Sequence, residues 1–135
     1  MAVRAIRGAT QLDDDEREHL LERTSELVRA VLERNGLDAD RLVSIVFTAT
    51  PDIVSEFPAY AVRRLGITDV PLLCARELDV ADAMPRVVRL LAHVETDLAR
   101  GEVQHVYLHG ARGLRTDLRH DDHPTGREST GPSPA

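Results

Sequence analysis

The sequence has no lysine and no tryptophan, and its 135 residues include one cysteine, two phenylalanines and two tyrosines. One cysteine excludes an internal disulfide, so we expect a reducing compartment, the cytoplasm. No apolar run approaches the length of a membrane span, and the N-terminus lacks the apolar segment of a signal peptide, so we expect no membrane contact. Because aromatic residues are scarce, leucine, valine, isoleucine and alanine must form the core.

Motifs for cofactors, metals and nucleic acids are also missing. The net charge of −6 argues against a nucleic-acid partner, which selects a basic surface. The chain has no Walker loop, no dinucleotide-binding glycine motif and no nucleophile elbow. Its six histidines are too scattered to form a zinc motif. We therefore predict neither a metal nor a cofactor.

Apolar patterning predicts an α/β domain in which strands alternate with helices. Strands are expected over residues 3–9, 42–50, 70–74 and 103–109, and helices over 13–35, 58–65 and 84–94. Three helices leave one face of the sheet partly bare, and pairing with copies of itself is the simplest remedy, so we expect an oligomer. The composition of residues 119–135, rich in proline, glycine and serine, predicts a flexible tail behind a single domain of residues 1–118.

All 17 basic residues are arginines, whose planar guanidinium suits paired hydrogen bonds to a carboxylate. Arg7, Arg63, Arg89 and Arg115 lie inside apolar elements or near their ends, although surface arginines that cover the core would give the same pattern. Arg89 is the most unusual, because its neighbours in the predicted helix 84–94 are nearly all apolar. These residues predict a pocket for a small dianionic ligand.

The stretch 70–79 adds a cysteine and a carboxylate to the end of the predicted third strand. Cys74 has no histidine at a spacing typical of a catalytic pair, and composition favours a small buried apolar role for it. Composition likewise favours a solvated loop acid for Glu77. A site role for both residues stays open, because they lie between the apolar strand and Arg89.

Several segments resemble the trimeric α/β-type chorismate mutases, the monofunctional class that is distinct from the all-helical one. They run in order and with nearly constant spacing over residues 3–118. The segments are Arg4–Thr10, Thr48–Asp52, Phe57–Ala59 with Ala61–Arg63, Val70–Pro71 with Cys74, Glu77 and Asp79–Val80, Arg89, and His105–Leu108 with Leu114–Arg115.

The resemblance implies a fold and an activity. The fold would be a mixed β-sheet with helices packed on one face, chorismate-mutase-II-like, assembled into a homotrimeric pseudo-barrel with active sites between subunits. The activity would be the rearrangement of chorismate to prephenate, on the route to phenylalanine and tyrosine. This pericyclic reaction needs no nucleophile, proton transfer or cofactor, which agrees with the missing motifs.

The resemblance also implies roles for individual side chains. Arg89 would face the ether oxygen and a carboxylate of the substrate, and Arg7 would hold the enolpyruvyl carboxylate. These two arginines form the expected catalytic set together with Glu77 and Cys74, which would meet the ring and its hydroxyl. The expected substrate contacts are Arg7, Phe57, Ala59, Arg63, Leu73, Cys74, Glu77, Arg89, Tyr107, Leu114 and Arg115.

Two departures and two alternatives accompany this reading. Tyr60 stands where the family commonly has a lysine, and Leu73 stands where a threonine is expected. A non-catalytic regulatory module that binds carboxylates is one alternative, although both Arg7 and Arg89 are intact. A trimeric enamine/imine deaminase is the other, and the spacing of Cys74 and Glu77 favours the mutase.

Overall fold

The computed structural model describes residues 1–115, for Arg115 the backbone only, so the predicted tail of residues 119–135 lies outside the described residues. The strands are β1 (Ala2–Gln11), β2 (Leu42–Ala49), β3 (Leu72–Arg76), β4 (Val87–Thr96) and β5 (Val106–Leu108), and the α-helices are α1 (Arg17–Arg34) and α2 (Tyr60–Arg64). Short 3₁₀ helices cover Ala39–Arg41, Arg100–Glu102 and His109–Arg115. No helix within residues 1–115 is long and apolar enough to cross a membrane.

The strands form one mixed five-stranded sheet in the order β3-β2-β4-β1-β5. The central strand β4 is antiparallel to both β1 and β2, whereas β3 and β5 pair in parallel with β2 and β1 at the two edges. The prediction of a mixed sheet with few helices, an α+β fold, is confirmed. Because β4 is the central strand, other strands flank its side chains on both sides.

Both α-helices cover the same face of the sheet. α1 begins after Glu16, whose carboxylate accepts hydrogen bonds from the N–H groups of Glu18 and His19, and it ends at Asn35 before Gly36, which has a φ of 64°. The main core lies between these helices and the sheet, and burying each of its large aliphatic side chains contributes about 1.5–3 kcal/mol. Its buried members include Ile6, Leu27, Val28, Val31, Ile45, Phe47, Val62, Val88, Leu90 and Val94.

The predicted helix over residues 84–94 is wrong, because this segment forms β4. Burial along β4 follows the two-residue period of a strand from Val88 to Val94, with Arg89 and Leu91 less buried than their neighbours. Three β-branched valines also suit a strand better than a helix. Arg89 therefore projects from a central strand.

Two predicted boundaries also shift. The first helix begins at Arg17 and not at residue 13, because the Asp15 carboxylate accepts hydrogen bonds from the loop N–H groups of Val54 and Ser55. The last strand is limited to Val106–Leu108, and the chain then turns into a 3₁₀ helix.

The face of the sheet opposite α1 is largely bare in the part of the chain that is described. Leu73 on β3 and Leu91 on β4 both pair with Val46 of β2, so the three side chains share this face. Leu73 is 62% exposed and Leu91 37% exposed. Only one end of the face is covered, where Ala111 of the last 3₁₀ helix packs with Tyr107. The predicted bare face is therefore confirmed for one chain.

Candidate active site

Arg89 and Glu77 meet on the bare face of the sheet. The register of β4 puts Arg89 opposite Ala9 of β1 and Thr48 of β2. Glu77 directly follows β3, and its N–H donates to the Ala49 carbonyl over 3.0 Å, which holds it beside β2. Nη1 of Arg89 donates to one carboxylate oxygen of Glu77, and Thr48 Oγ1 donates to the other over 2.6 Å. The structure thus joins the two predicted residues in an ion pair.

This ion pair is largely withdrawn from solvent, since the side chains of Arg89 and Glu77 are 21% and 15% exposed. Nε of Arg89 is buried and has no hydrogen-bond partner within residues 1–115. A cleft of about 690 Å³ lies beside the pair, and Met84 and Leu114 contribute to its lining. Because a buried donor without an acceptor is costly, an oxygen atom of a ligand is the natural partner for this nitrogen.

Arg7 and Tyr107 lie on the same side of the sheet. Tyr107 pairs with Ala9, which itself pairs with Arg89, so the three side chains share the bare face. Arg7 is two residues before Ala9 and therefore points to that face as well. Its backbone N–H donates to Nδ1 of His105 over 2.9 Å. One face thus carries two cationic side chains, a carboxylate and a phenol.

A second group of predicted residues lines a different cleft. Phe57 and Cys74 contribute to this cavity of about 370 Å³, and a backbone hydrogen bond links Ala59 to the thiol. Cys74 pairs with Phe47, so its side chain points to the helix-covered face and away from Arg89. Burial raises the pKa of the Cys74 thiol, an effect that the hydrogen bond from Ala59 partly offsets. The thiol is therefore a neutral hydrogen-bonding group at neutral pH.

The remaining predicted residues lie outside these two groups. Arg63 is exposed on α2, and Leu73 lies on the edge strand β3 with its side chain on the bare face. Arg115 is the last residue of the C-terminal 3₁₀ helix, and its side chain is outside the described part of the structure. Within residues 1–115, no cluster of three or more His, Cys, Asp and Glu side chains is arranged to hold a metal ion.

Sequence reasoning gave no role to Thr48, His105 or Arg76. Thr48 holds the second oxygen of Glu77, His105 binds the backbone of Arg7, and Arg76 lines both clefts. Thr48 and His105 do fall in the segments that carry the family resemblance, which was the one available signal. Their contacts depend on strand register, which spacing along the chain does not define.

The loop that carries Phe57 is fastened to the start of α1. Burial alone would raise the pKa of the Asp15 carboxylate, but the hydrogen bonds that it accepts from the N–H groups of Val54 and Ser55 help to lower that pKa below its usual value. Nε of Arg17 donates to Glu56 over 2.6 Å, and the other oxygen of Glu56 accepts the Phe57 N–H over 3.0 Å. Phe57 itself is 70% exposed, so the loop presents an apolar side chain outward.

A mixed α+β sheet whose bare face carries two arginines, a carboxylate and a phenol defines a class of small proteins whose site suits an anionic ligand. Comparison with known proteins makes this specific. Residues 3–118 match the family model of chorismate mutase type I. The chain therefore belongs to the chorismate mutase type I family.

Individual relatives agree with this membership. Chorismate mutase AroH of Thermus thermophilus is 45% identical over 117 residues, which are 86% of this chain and 96% of that protein. Chorismate mutase AroH of Bacillus subtilis strain 168 is 38% identical over 119 residues, 87% of this chain and 94% of that protein. A solved chorismate mutase from Clostridium thermocellum superposes with a TM-score of 0.80 at 39% identity, covering 81% of this chain and 97% of that one.

These comparisons confirm the predicted family, the isomerase class and the link to aromatic amino acid biosynthesis. The matched family model is designated type I, whereas the expected fold label carried the number II. They also favour a mutase over an enamine/imine deaminase.

Proposed function

We propose that this chain converts chorismate to prephenate by holding the substrate in a bent conformation and stabilising a polarised transition state with fixed charges. The observation that carries the proposal is Arg89, a largely buried cation on the central strand whose Nε has no acceptor within residues 1–115. In the rearrangement a C–O bond breaks while a C–C bond forms, and the ether oxygen gains negative charge. A fixed cation at that oxygen stabilises the transition state more than the ground state, and only this difference accelerates the reaction.

The other residues of the bare face have matching roles in this proposal. Glu77 orients Arg89 and supplies a carboxylate for the substrate ring, with Thr48 holding its second oxygen. Arg7 and Tyr107 bind the enolpyruvyl carboxylate from the neighbouring strands. Leu114 forms a wall of this cleft. Binding at several fixed points restricts the flexible substrate to its reactive shape, which removes part of the entropic barrier.

The second cleft completes the site when it belongs to another copy of the chain. Ala59 and Cys74 pack against the core on the helix-covered side of the sheet, Phe57 lines the same cleft as Cys74, and none of the three lines the Arg89 cleft in one chain. In a homotrimer with active sites between subunits, they would face the Arg89 cleft of the neighbour, with Arg63 at the entrance. The bare sheet face, with its exposed Leu73 and Leu91, supports such an assembly.

Three further elements of the proposal concern the chain as a whole. Residues 1–118 act as one catalytic domain, which the family match over residues 3–118 supports. Arg115 helps to close the site over bound substrate. The enzyme works in the cytoplasm, as the single cysteine suggests.

The test is the loss of chorismate absorbance with prephenate identified as the product. Turnover that follows enzyme concentration supports the proposal. Binding of chorismate without turnover would instead indicate a regulatory module, and release of ammonia from an imine donor would indicate a deaminase. Light scattering of the full chain tests the assembly, for which we expect three copies. A stable monomer with full activity would refute the shared site.

A further inference from the structure

We propose that His105 is a positioning residue that fixes Arg7 for the substrate carboxylate, an inference that rests on the function proposed above. The Arg7 backbone N–H donates to Nδ1 of His105 over 2.9 Å. The contact joins two residues 98 positions apart in the chain and ties β1 to the segment that leads into β5.

The imidazole of His105 accepts a hydrogen bond from β1 at a position where β5 supplies no paired residue. β1 pairs in parallel with β5 only from Gly8, opposite Val106, to Thr10, opposite Leu108. Arg7 lies one residue before this ladder, where no strand residue stands opposite it on the β5 side. A backbone N–H that is shielded from solvent needs an acceptor, and Nδ1 of His105 accepts the N–H of Arg7. The histidine thus extends the edge of the sheet at the residue whose side chain is assigned to the substrate.

The contact also defines the chemical state of the ring. An acceptor at Nδ1 requires a lone pair there, so the proton of the neutral ring lies on Nε2. Burial lowers the pKa of His105, and the positive charge of Arg7 lowers it further. The ring is therefore kept neutral beside the guanidinium, whereas a cationic ring would set a donor against the Arg7 N–H.

Kinetics of two variants test this role on chorismate. His105→Phe keeps a ring but removes the acceptor, and His105→Asn supplies Oδ1 near the position of Nδ1. We expect the phenylalanine variant to raise KM about tenfold with a smaller change in kcat, because Arg7 binds the carboxylate in both the ground and transition states. Asparagine should restore most of the loss. Equal losses for the two variants would overturn the proposal.

A matched control comes from the segment before α1. Nε2 of His19 accepts the backbone N–H of Asp13 over 2.9 Å, so His19→Phe removes the same kind of contact at a place that carries no site residue. We expect this variant to keep the KM of the parent. A rise in KM equal to that of His105→Phe would show a general effect of losing such a bond, and it would contradict the specific role.

A double variant separates action through Arg7 from independent action. If His105 works through Arg7, then His105→Phe adds no further loss in an Arg7→Ala background, whereas multiplied losses would refute the coupling. Should His105→Phe fail to fold, long-range ¹H–¹⁵N correlations of the parent decide the question. A ring proton on Nε2 supports the contact, and one on Nδ1 overturns it.

Failure of the proposed function can be distinguished from failure of this inference. A parent protein without turnover of chorismate refutes the function alone. The same variants are then compared by calorimetry for their affinity toward a bicyclic dicarboxylate that mimics the bent substrate. A tenfold weaker affinity for His105→Phe, restored in His105→Asn, supports the positioning role, and unchanged affinity overturns it.

Discussion

Replacing Arg89 by lysine and by alanine separates the charge of this side chain from its shape. The guanidinium donates to Glu77 through Nη1, and its buried Nε, which has no acceptor within residues 1–115, is the donor that we propose for the substrate. Lysine keeps the charge and can pair with Glu77, but a single ammonium lacks the fixed fork that serves both partners at once. Alanine removes both contacts. Comparison of the two variants therefore measures what geometry adds to charge.

The magnitude follows from the geometry and charge of the site. Two unit charges 4 Å apart interact by about 4 kcal/mol at an effective dielectric constant of about 20, so about half a charge on the ether oxygen is worth about 2 kcal/mol. A hydrogen bond to a charged group adds about 1.5 kcal/mol. Arg89→Ala should then lower kcat by about 10²–10³-fold, the range found when one oxyanion donor is removed. Arg89→Lys should lose at least about tenfold.

Stability must be measured beside activity, because Arg89→Ala leaves Glu77 half-buried with Thr48 as its partner. We expect this variant to lose about 1–3 kcal/mol of unfolding free energy, and the lysine variant to lose less. Chorismate turnover and urea denaturation give the two quantities. Arg29→Ala, an exposed change on α1, controls for the loss of one positive charge. A folded Arg89→Ala with the parent's kcat would refute the assignment.

Three more predictions concern other parts of the fold. Asp15→Asn should lower the free energy of unfolding by about 1 kcal/mol at pH 7. Because folding lowers the pKa of Asp15, the difference in stability between variant and parent is present above the unfolded pKa of 3.8 and disappears as the pH falls through the folded pKa. Denaturation measured over a pH series would contradict this if the two stabilities did not converge. Asn35→Ala should lower the free energy of unfolding by about 1–3 kcal/mol, since Nδ2 donates to the Gln104 carbonyl over 3.0 Å and Oδ1 accepts the Gln104 N–H over 2.8 Å. Calorimetry measures this loss. An unchanged melting temperature would show that these two hydrogen bonds do not stabilise the fold. Cys74→Ser should keep kcat within about tenfold of the parent, because a protonated thiol and a hydroxyl are both neutral donors; complete loss of turnover would indicate a thiolate nucleophile.

The predicted strands and the main helix were recovered from local patterns, whereas β4 was not. Its run of apolar residues from Val87 to Val94 fits a buried helix and a central strand equally well by periodicity. The exposed face of β4 carries the apolar Leu91, so its sequence alternates little and only its valine content favoured a strand. Arg89 stood out under either interpretation, because a charged side chain within such a run needs a partner, and the structure shows Glu77 in that position.

In the candidate site, too, the sequence predicted individual residues but not the contacts between them. Arg89 and Glu77 are 12 positions apart, and their contact follows once β3 and β4 both pair with β2. Cys74 and Glu77 are three positions apart, and they lie on opposite faces because β3 continues to Arg76, whereas the predicted strand ended at Cys74. The contact of His105 with Arg7 depends on where the β5 ladder stops. These contacts depend on the register of the paired strands, which interactions between distant parts of the chain determine.

Separation of the two clefts within one chain has a genetic consequence. In the proposed homotrimer, chains carrying Arg89→Ala and chains carrying Phe57→Asp would each form inactive assemblies, yet a mixed ring would contain one junction where the undamaged surfaces meet. Random reassembly of equal amounts would restore about a quarter of the parental turnover. Two defective alleles of this protein would therefore complement one another in the same cell, and the recovered activity would count the junctions directly.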